Sequence, residues 1–359
     1  MYKSEIWTTE YELRSVLTDR YDGQHPSGPS LYNIKGVDYT DSSNSSIAVI
    51  GASGMGKTLY VTLPFIQDII DKGENLVLVE TKGQCFAAFD GKIPDSYHCC
   101  AINLRTPHSS PDRYNPLTVL KSCCRRGFMA DRHRLVRFAD SLADNLFAAR
   151  SPKDEVVFHC AKGLFKALVY TLLENGSEKE INFPSLQNML QQMAEAFDRK
   201  DAAVRLYKSC DSSLVKNSLE GYILCDRATR RRVLAVAKAR VDRMLFTPAV
   251  SELLRDDSCR FDKIDAEKPF AVFITLPDDC KNSQLISAAA TDQLALILED
   301  MAVPFGDRLP KRTNIIAEDI ALAGRGIPSL PTRAQQGHSR NIRVMYTCHP
   351  PHDTKAAFG

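Results

Sequence analysis

The stretch "IAVIGASGMGKTLYV", Ile47 to Val61, constrains this chain more than any other. An apolar run reads as a strand, a glycine-rich turn follows it, and Lys57-Thr58 opens a helix. "GASGMGKT" satisfies the full G-x-x-x-x-G-K-[ST] pattern in that strand-to-helix setting, which separates a phosphate loop from a chance match. Gly51, Gly54 and Gly56, with Ser53 and Met55 between them, let backbone N–H groups converge on phosphate oxygens. Lys57 is placed to neutralise the β and γ oxygens, and the Thr58 hydroxyl can ligate Mg²⁺.

A strand, a helix and a second buried strand, "ENLVLVE", predict a parallel α/β sheet. Before the loop, residues 1 to about 45 read as one helix (Glu10–Leu17) and a Gly/Pro/Ser-rich stretch; "SSIAVIG" reads as a buried strand. After "RYNPL" (Arg113 to Leu117) the pattern turns helical, from about residue 122 to 257. Ser151-Pro152 reads as an N-cap with proline at the first helical position. Phe158, Ala161, Phe165, Leu168 and Leu172 then share one face, and Asn175-Gly176 ends the helix. Leu186, Met189, Leu190 and Met193 form a second such face. Both stripes read as core. The α/β pattern returns with "KPFAVFITLP", a helix around Leu294, Ile297, Leu298 and Met301, "TNIIAED" and "IRVMYTC". One sheet is thus expected to be interrupted by an all-helical insertion: residues 1–121 and 258–359 form a divided nucleotide-binding domain, the latter part C-terminally incomplete, and 122–257 an all-α domain.

Composition adds only bounds. A chain of 359 residues has room for two domains, and a net charge of +2 argues neither for nor against nucleic acid. No apolar run reaches the roughly 20 residues that span a bilayer, so the chain reads as soluble. Eleven cysteines lack both a secretory leader and metal-knuckle spacing, which predicts reduced thiols in a cytosolic setting. "YHCC" (Tyr97 to Cys100) is at most half of a metal site.

A nucleotide hydrolase also needs a carboxylate at a neighbouring strand end to hold the Mg²⁺ shell, and "NIIAED" supplies Glu318 and Asp319. "VLVETKGQ" ends a strand with Glu80 and Lys82, where charged groups could face the nucleotide crevice or equally form a polar strand end. The basic residues Arg230, Arg231, Arg232, Lys238, Arg240 and Arg243 spread around one helix, which favours a solvated surface over a DNA-binding stripe.

In this order the motifs resemble the coupling proteins of type IV secretion and conjugation systems, the TraG/TraD-like motor ATPases, over nearly the whole chain. "IGASGMGKT" is similar to that family's phosphate loop, "VLVETKGQ" to its Asp-Pro-Lys-Gly-Glu strand end, and "RYNPL" to its Tyr-Asn-Pro-Leu element. "KPFAVFITLPDD" is similar to the strand leaving its all-α domain. "EDIALAGRGIPSLPTRAQQGHSRNIRVMYTCH" is like its second acidic motif, Ile-Pro turn, arginine-containing helix and next strand. The resemblance implies a RecA-like P-loop NTPase sheet with an inserted all-α domain, ATP contacted by Lys57, and assembly into a ring, usually a hexamer. It implies ATP-driven delivery of DNA, expected to be single-stranded, or of a relaxase, relaxosome or effector cargo to a type IV secretion channel. The all-α domain would recognise the cargo. The implied place is the cytoplasmic face of the inner or plasma membrane, through an anchor outside these residues or on a partner.

The chain departs from the family in ways that bear on turnover. The acidic motif there reads Asp-Glu, the Asp holding the Mg²⁺ shell and the Glu polarising water; here it reads Glu318-Asp319. Either Glu318 takes the metal role and Asp319 the water role, or the strand slips by one and Asp319 serves Mg²⁺. Binding is expected to be intact and hydrolysis reduced or conditional. His338 stands at a frequent arginine, and His349 at a frequent glutamine associated with nucleotide sensing. Arg340 and Arg343 are candidates for contacts to nucleotide or DNA, or else caps of a sheet edge. The competing reading is a nucleotide-binding cargo receptor or adaptor with little or no hydrolysis. A motor of the chromosome-segregation or pilus-retraction kind shares the loop but explains "RYNPL" and the insertion less well.

Overall fold

In the computed structural model the described residues are 9–124, 131–147, 154–278, 281–319 and 337–349. Six parallel strands carry the architecture: β4 (Ile47–Ile50), β5 (Asn75–Glu80), β6 (His98–Asn103), β7 (Phe270–Thr275), β8 (Thr313–Ala317) and β9 (Ile342–Cys348). They lie side by side in the order β4-β9-β8-β5-β7-β6. Strands covered on both faces must be apolar throughout, and β5, β7 and β8 are buried at every position. Alternate residues serve opposite faces. Leu76 and Leu78 pack with Phe65, Ile66 and Phe89, while Val77 and Val79 pack into a separate core shared with the helical region.

The first face is covered by α2 (Leu63–Asp71) and α3 (Gln84–Phe89). The second is covered by α12 (Ser283–Ala302) and the helices that precede it in the chain. From Thr118 to Leu253 every described element is helical: α4 (Thr118–Cys124), α5 (Arg132–Leu146), α6 (Glu155–Asn175), α7 (Phe183–Ala196), α8 (Ala202–Ser209), α9 (Ser213–Leu224), α10 (Arg227–Met244) and α11 (Pro248–Leu253). Both apolar stripes face the core, with Ala161, Phe165 and Leu168 of α6 and Leu186 and Leu190 of α7 fully buried. At Gly163 an added Cβ would lie 2.3 Å from the Ser218 carbonyl oxygen, so this glycine sets how closely α6 and α9 cross. "RYNPL" fastens the region's entrance. The Tyr114 hydroxyl donates to Gln293 Oε1 (2.8 Å), and Gln293 Nε2 donates back to the Pro116 carbonyl (2.7 Å).

Several expectations need revision. The Gly/Pro/Ser-rich N-terminal stretch holds a three-stranded antiparallel sheet, β1 (Thr18–Asp19), β2 (Ser30–Ile34) and β3 (Val37–Thr40), behind the expected helix α1 (Glu10–Val16). β4 alternates between half-buried and exposed residues because, among the described strands, it pairs with β9 alone. "HCCAIN" forms β6, and its Cys100 is disulfide-bonded to Cys259, 159 residues away. The expectation of reduced thiols therefore fails for this pair. Folding brings β6 against the segment leaving the helices, a juxtaposition that local cysteine spacing does not contain. Helix α6 is long and apolar enough, by length and composition, to cross a membrane, so the claim that no apolar run is long enough needs amending. More than half of its apolar window (56%) is buried inside the protein. The Ser151-Pro152 cap lies outside the described residues, as do the Ile-Pro turn and the arginine-containing helix. The basic residues of α10 are largely satisfied at the surface, Arg231 by Asp198, Arg230 by Asp201 (3.7 Å) and Lys238 by Asp242 (2.7 Å).

Arg343 overturns a site assignment. It sits in β9 near the N-terminal end of the sheet and is fully buried. Nη1 donates to the Ser27 carbonyl (3.1 Å), Nη2 to the Asp41 carbonyl (2.7 Å), and the guanidinium lies over the Phe65 ring. Arg312 donates to the same Ser27 carbonyl (2.9 Å) and to that of Ser42 (2.7 Å). Glu74 accepts the Ser27 N–H (3.0 Å) and hydroxyl (2.5 Å). This buried clamp joins the N-terminal sheet to the central one. Burial lowers the Arg343 pKa to about 10, so the guanidinium stays charged at neutral pH. Replacing Arg343 by Leu removes the guanidinium donor to the Asp41 carbonyl and one of the two donors to the Ser27 carbonyl, and chemical denaturation should register a loss of about 2–4 kcal/mol. Nucleotide affinity, governed at the opposite end of the sheet, should be unchanged.

Candidate functional site

Parallel strands deliver their C-terminal ends to one edge of the sheet, and the chemically equipped residues gather there. β4 ends at the glycine loop, β9 at His349, β8 at Glu318-Asp319 and β5 at Glu80 through Lys82. The loop is drawn against β9, with the Gly51 N–H donating to the Cys348 carbonyl (3.2 Å). Gly54 and Gly56 both have positive φ (79° and 78°), a region that disfavours side chains. A Cβ on Gly56 would also lie 2.5 Å from the Tyr60 ring. The loop leads into a π-helical turn, Thr58–Thr62, before α2 begins; such turns are rare and recur at functional sites.

An open cleft of ≈ 400 Å³ lies over the loop, a volume within the range of small-molecule sites. Ser53, Gly54, Met55, Gly56, Lys57 and Thr58 form one wall, and Lys82, Gln84, Asp319 and His349 face them. Lys57 Nζ donates to the Gly51 carbonyl (2.8 Å) and approaches His349 Nδ1 (3.4 Å). Beside the cleft is a recess of ≈ 10 Å³, about the room one water or small ion needs, between Thr58, Glu80, Lys82, Glu318 and Asp319 among others.

The acidic pair divides as the unslipped register requires. Glu318 N–H donates to the Val79 carbonyl (2.9 Å), and Glu318 Oε2 accepts the Thr58 hydroxyl at 3.1 Å. Its Oε1 is buried without a hydrogen-bond partner. Burial pushes the Glu318 carboxyl above its usual 4.5. Asp319 takes the left-handed backbone conformation (φ 50°), which turns its side chain to the opposite wall. There Oδ2 accepts Lys82 Nζ (3.1 Å) and Oδ1 lies 3.6 Å from His349 Nε2. Thr347, absent from the expected set, links the two acids: its hydroxyl accepts the Asp319 N–H (2.8 Å) and approaches Glu318 Oε2 (3.4 Å). A hydroxyl near the end of the otherwise apolar strand "IRVMYTC" was the available signal.

Three of the candidate residues are engaged within the protein itself. Glu80 borders the recess, but its oxygens accept the N–H groups of Cys85 (3.0 Å) and Phe86 (2.9 Å) at the start of α3. It secures a strand-to-helix turn. Arg340 pairs with Glu299 of α12 (3.2 Å), and Arg343 belongs to the buried clamp. Both precede or open β9, and a seven-residue strand is about 20 Å long, so they lie at the end of the sheet remote from the cleft. His338 is in the turn that enters the same strand end.

Fold and loop together define a RecA-like P-loop α/β architecture with substantial helical content. No family model matches the sequence, and no curated protein matches it. Solved structures match in fold. The bacterial conjugative coupling protein TrwB, unbound, superposes with a TM-score of 0.58 at 14% identity, covering 92% of this chain and 68% of that one. TrwB in complex with ADP and Mg²⁺ gives 0.59 at 13%, covering 92% and 69%. VirB4 of Thermoanaerobacter pseudethanolicus gives 0.52 at 11%, covering 93% and 79%. At these identities the likeness is one of fold.

Two outcomes test the geometry. Gly56→Ala combines a disfavoured φ with a collision against Tyr60, and isothermal titration should show nucleotide affinity falling at least about tenfold. Glu318→Gln should raise the Tm of the ligand-free protein, because a carboxylate whose pKa is raised by burial opposes folding when ionised. The gain should open as pH rises from 4.5 through the raised pKa, and close below it, where Glu318 is already neutral.

Proposed function

We propose that the chain is a type IV secretion-related ATPase of the coupling class, binding ATP with Mg²⁺ and using it to move DNA or protein cargo. The observation that carries this reading is the 3.1 Å contact between the Thr58 hydroxyl and Glu318, 260 residues apart, beside a glycine loop and Lys57. Thr58 and Glu318 fit a Mg²⁺ ion: both are oxygen donors, the recess next to them is ion-sized, and Glu318 Oε1 has no other partner. Held by Thr58 and Glu318, the ion would neutralise charge on the phosphate oxygens. Lys57, now turned onto the Gly51 carbonyl, would swing to the β and γ phosphates, and the loop N–H groups would fix them in line. Asp319 is then the carboxylate left to orient the attacking water.

A second reading, a nucleotide-dependent cargo receptor with little hydrolysis, draws support from the same residue. Asp319 has one methylene fewer than the glutamate it replaces, and Lys82 and His349 both engage it. Turnover would then require that Lys82 release Asp319, so hydrolysis would be slow until a partner or DNA favours that release. Met55, Leu59 and Tyr60 are exposed at the rim of the cleft, which supports a second copy of the chain covering it in a ring. The helical region (about 122–257) would receive cargo, and the membrane face would be reached through an anchor on a partner or elsewhere in the protein.

ATPase rates with and without single-stranded DNA separate the readings. Lys57→Ala should weaken ATP binding about tenfold to 100-fold by equilibrium titration, having lost a charge-assisted contact. Asp319→Asn should keep binding and lower kcat about 100-fold or more. A wild-type rate equal to that of Lys57→Ala, with or without DNA, would eliminate the motor reading and leave the receptor.

A further inference from the structure

Helices α6, α7 and α8 enclose a groove of ≈ 590 Å³ that the nucleotide chemistry does not use. Its apolar lining comes from Leu168, Met189, Met193 and Leu206. Methionines adapt to differently shaped apolar partners, because their side chains are unbranched and polarisable. Arg199, Lys200 and Arg205 also line it and are solvent-exposed. None of these three cations forms an ion pair among the described residues.

The nearby acids are directed elsewhere. Asp198 pairs with Arg227 and Arg231 of α10. Asp201 caps α8, accepting the N–H groups of Ala203 (3.1 Å) and Val204 (3.3 Å), and takes the Tyr222 hydroxyl (3.2 Å). The groove therefore presents an apolar floor with an uncompensated positive margin. A phosphodiester backbone would satisfy the cations and leave the apolar floor uncovered. A peptide with an apolar stripe and acidic flanks satisfies both.

We propose that this groove docks an acidic amphipathic segment of a partner protein, its apolar side chains at i, i+3, i+4 and i+7 on the methionine floor and its carboxylates on Arg199, Lys200 and Arg205. The docking rests on the recruitment half of the function proposed above and is independent of nucleotide turnover.

Fluorescence anisotropy on the full chain tests it with three labelled peptides of about five helical turns. The first carries Leu at the stripe positions and Glu beside them, the second has Lys for every Glu, and the third is a scramble of the first. An oligothymidylate of similar length is the fourth probe. The acidic amphipathic peptide should bind at least about tenfold more tightly than the other peptides, and weaken as salt rises. Arg199→Glu with Arg205→Glu, both at exposed positions that should fold normally, should abolish the preference, and the neutral Met189→Asn should weaken binding without changing the salt dependence. Lys57→Ala should bind the peptide as the wild type does, so a failed nucleotide reading leaves this result standing. Equal binding of scramble and parent, no binding of the parent, or oligothymidylate binding lost in the Arg199/Arg205 variant while the peptide is ignored would each overturn the proposal.

Discussion

Everything at the cleft depends on the parallel register of β4, β9, β8 and β5. Ile50 lies opposite Cys348, Ala317 opposite Tyr346, and Val79 opposite Ala317. Those pairings bring the glycine loop, His349, the two acids and Lys82 out of the sheet side by side. A slip of one residue in β8 would exchange the faces of Glu318 and Asp319. The register is protected by packing: β5 and β8 are buried on both faces, and a one-residue slip would exchange side chains fitted to one core for those fitted to the other. The hydrophobic effect thus fixes, at a distance, which carboxylate meets the Thr58 hydroxyl.

The same sheet has two chemically distinct ends. At the C-terminal end, polar groups are left with spare capacity: Glu318 Oε1 is unpartnered, and the Lys57 ammonium rests on loop carbonyls. At the other, Arg312 and Arg343 are tied to the N-terminal segment by hydrogen bonds to main-chain carbonyls, with Glu74 and Asp68 holding Ser27 and Gly28. Buried cations are therefore structural at one end, while charge remains available for exchange at the other. Stability and reactivity are separated along the strand direction, and substitutions at one end can be read without confusion from the other.

Much of this was legible from the residues alone, for identifiable reasons. The glycine loop, the strands "ENLVLVE", "FAVFIT" and "TNIIA" and the helical faces around Phe165 and Leu190 announce themselves by local pattern. β6 escaped because His98, Cys99 and Cys100 disguise an apolar strand as a ligand cluster. β2 and β3 escaped because an exposed antiparallel pair among glycines, prolines and serines has no strong periodicity. For Arg343 and Glu80 two readings stayed open for a common reason. Sequence reveals that a charge is present near a strand end, but not which end faces the cleft or whether backbone groups have already claimed it. The Glu318-Asp319 ambiguity was likewise beyond local pattern, since it turns on a positive φ at Asp319 and on Thr347 from another strand.

The helical region has one further property. β6 and β7 are parallel neighbours paired from His98↔Phe270 to Asn103↔Thr275, and all the helices from α4 to α11 lie between them in the chain. The whole region is thus a single, greatly enlarged crossover of a β-α-β unit, leaving and returning at adjacent positions and stapled near its base by Cys100–Cys259. With both ends held, the cost of lengthening the excursion grows only logarithmically. Helices of the excursion that do not pack on the sheet can be lengthened or exchanged while those sharing its core hold the strands, which leaves the outer part of the region free to diverge while the residues of the cleft stay in place.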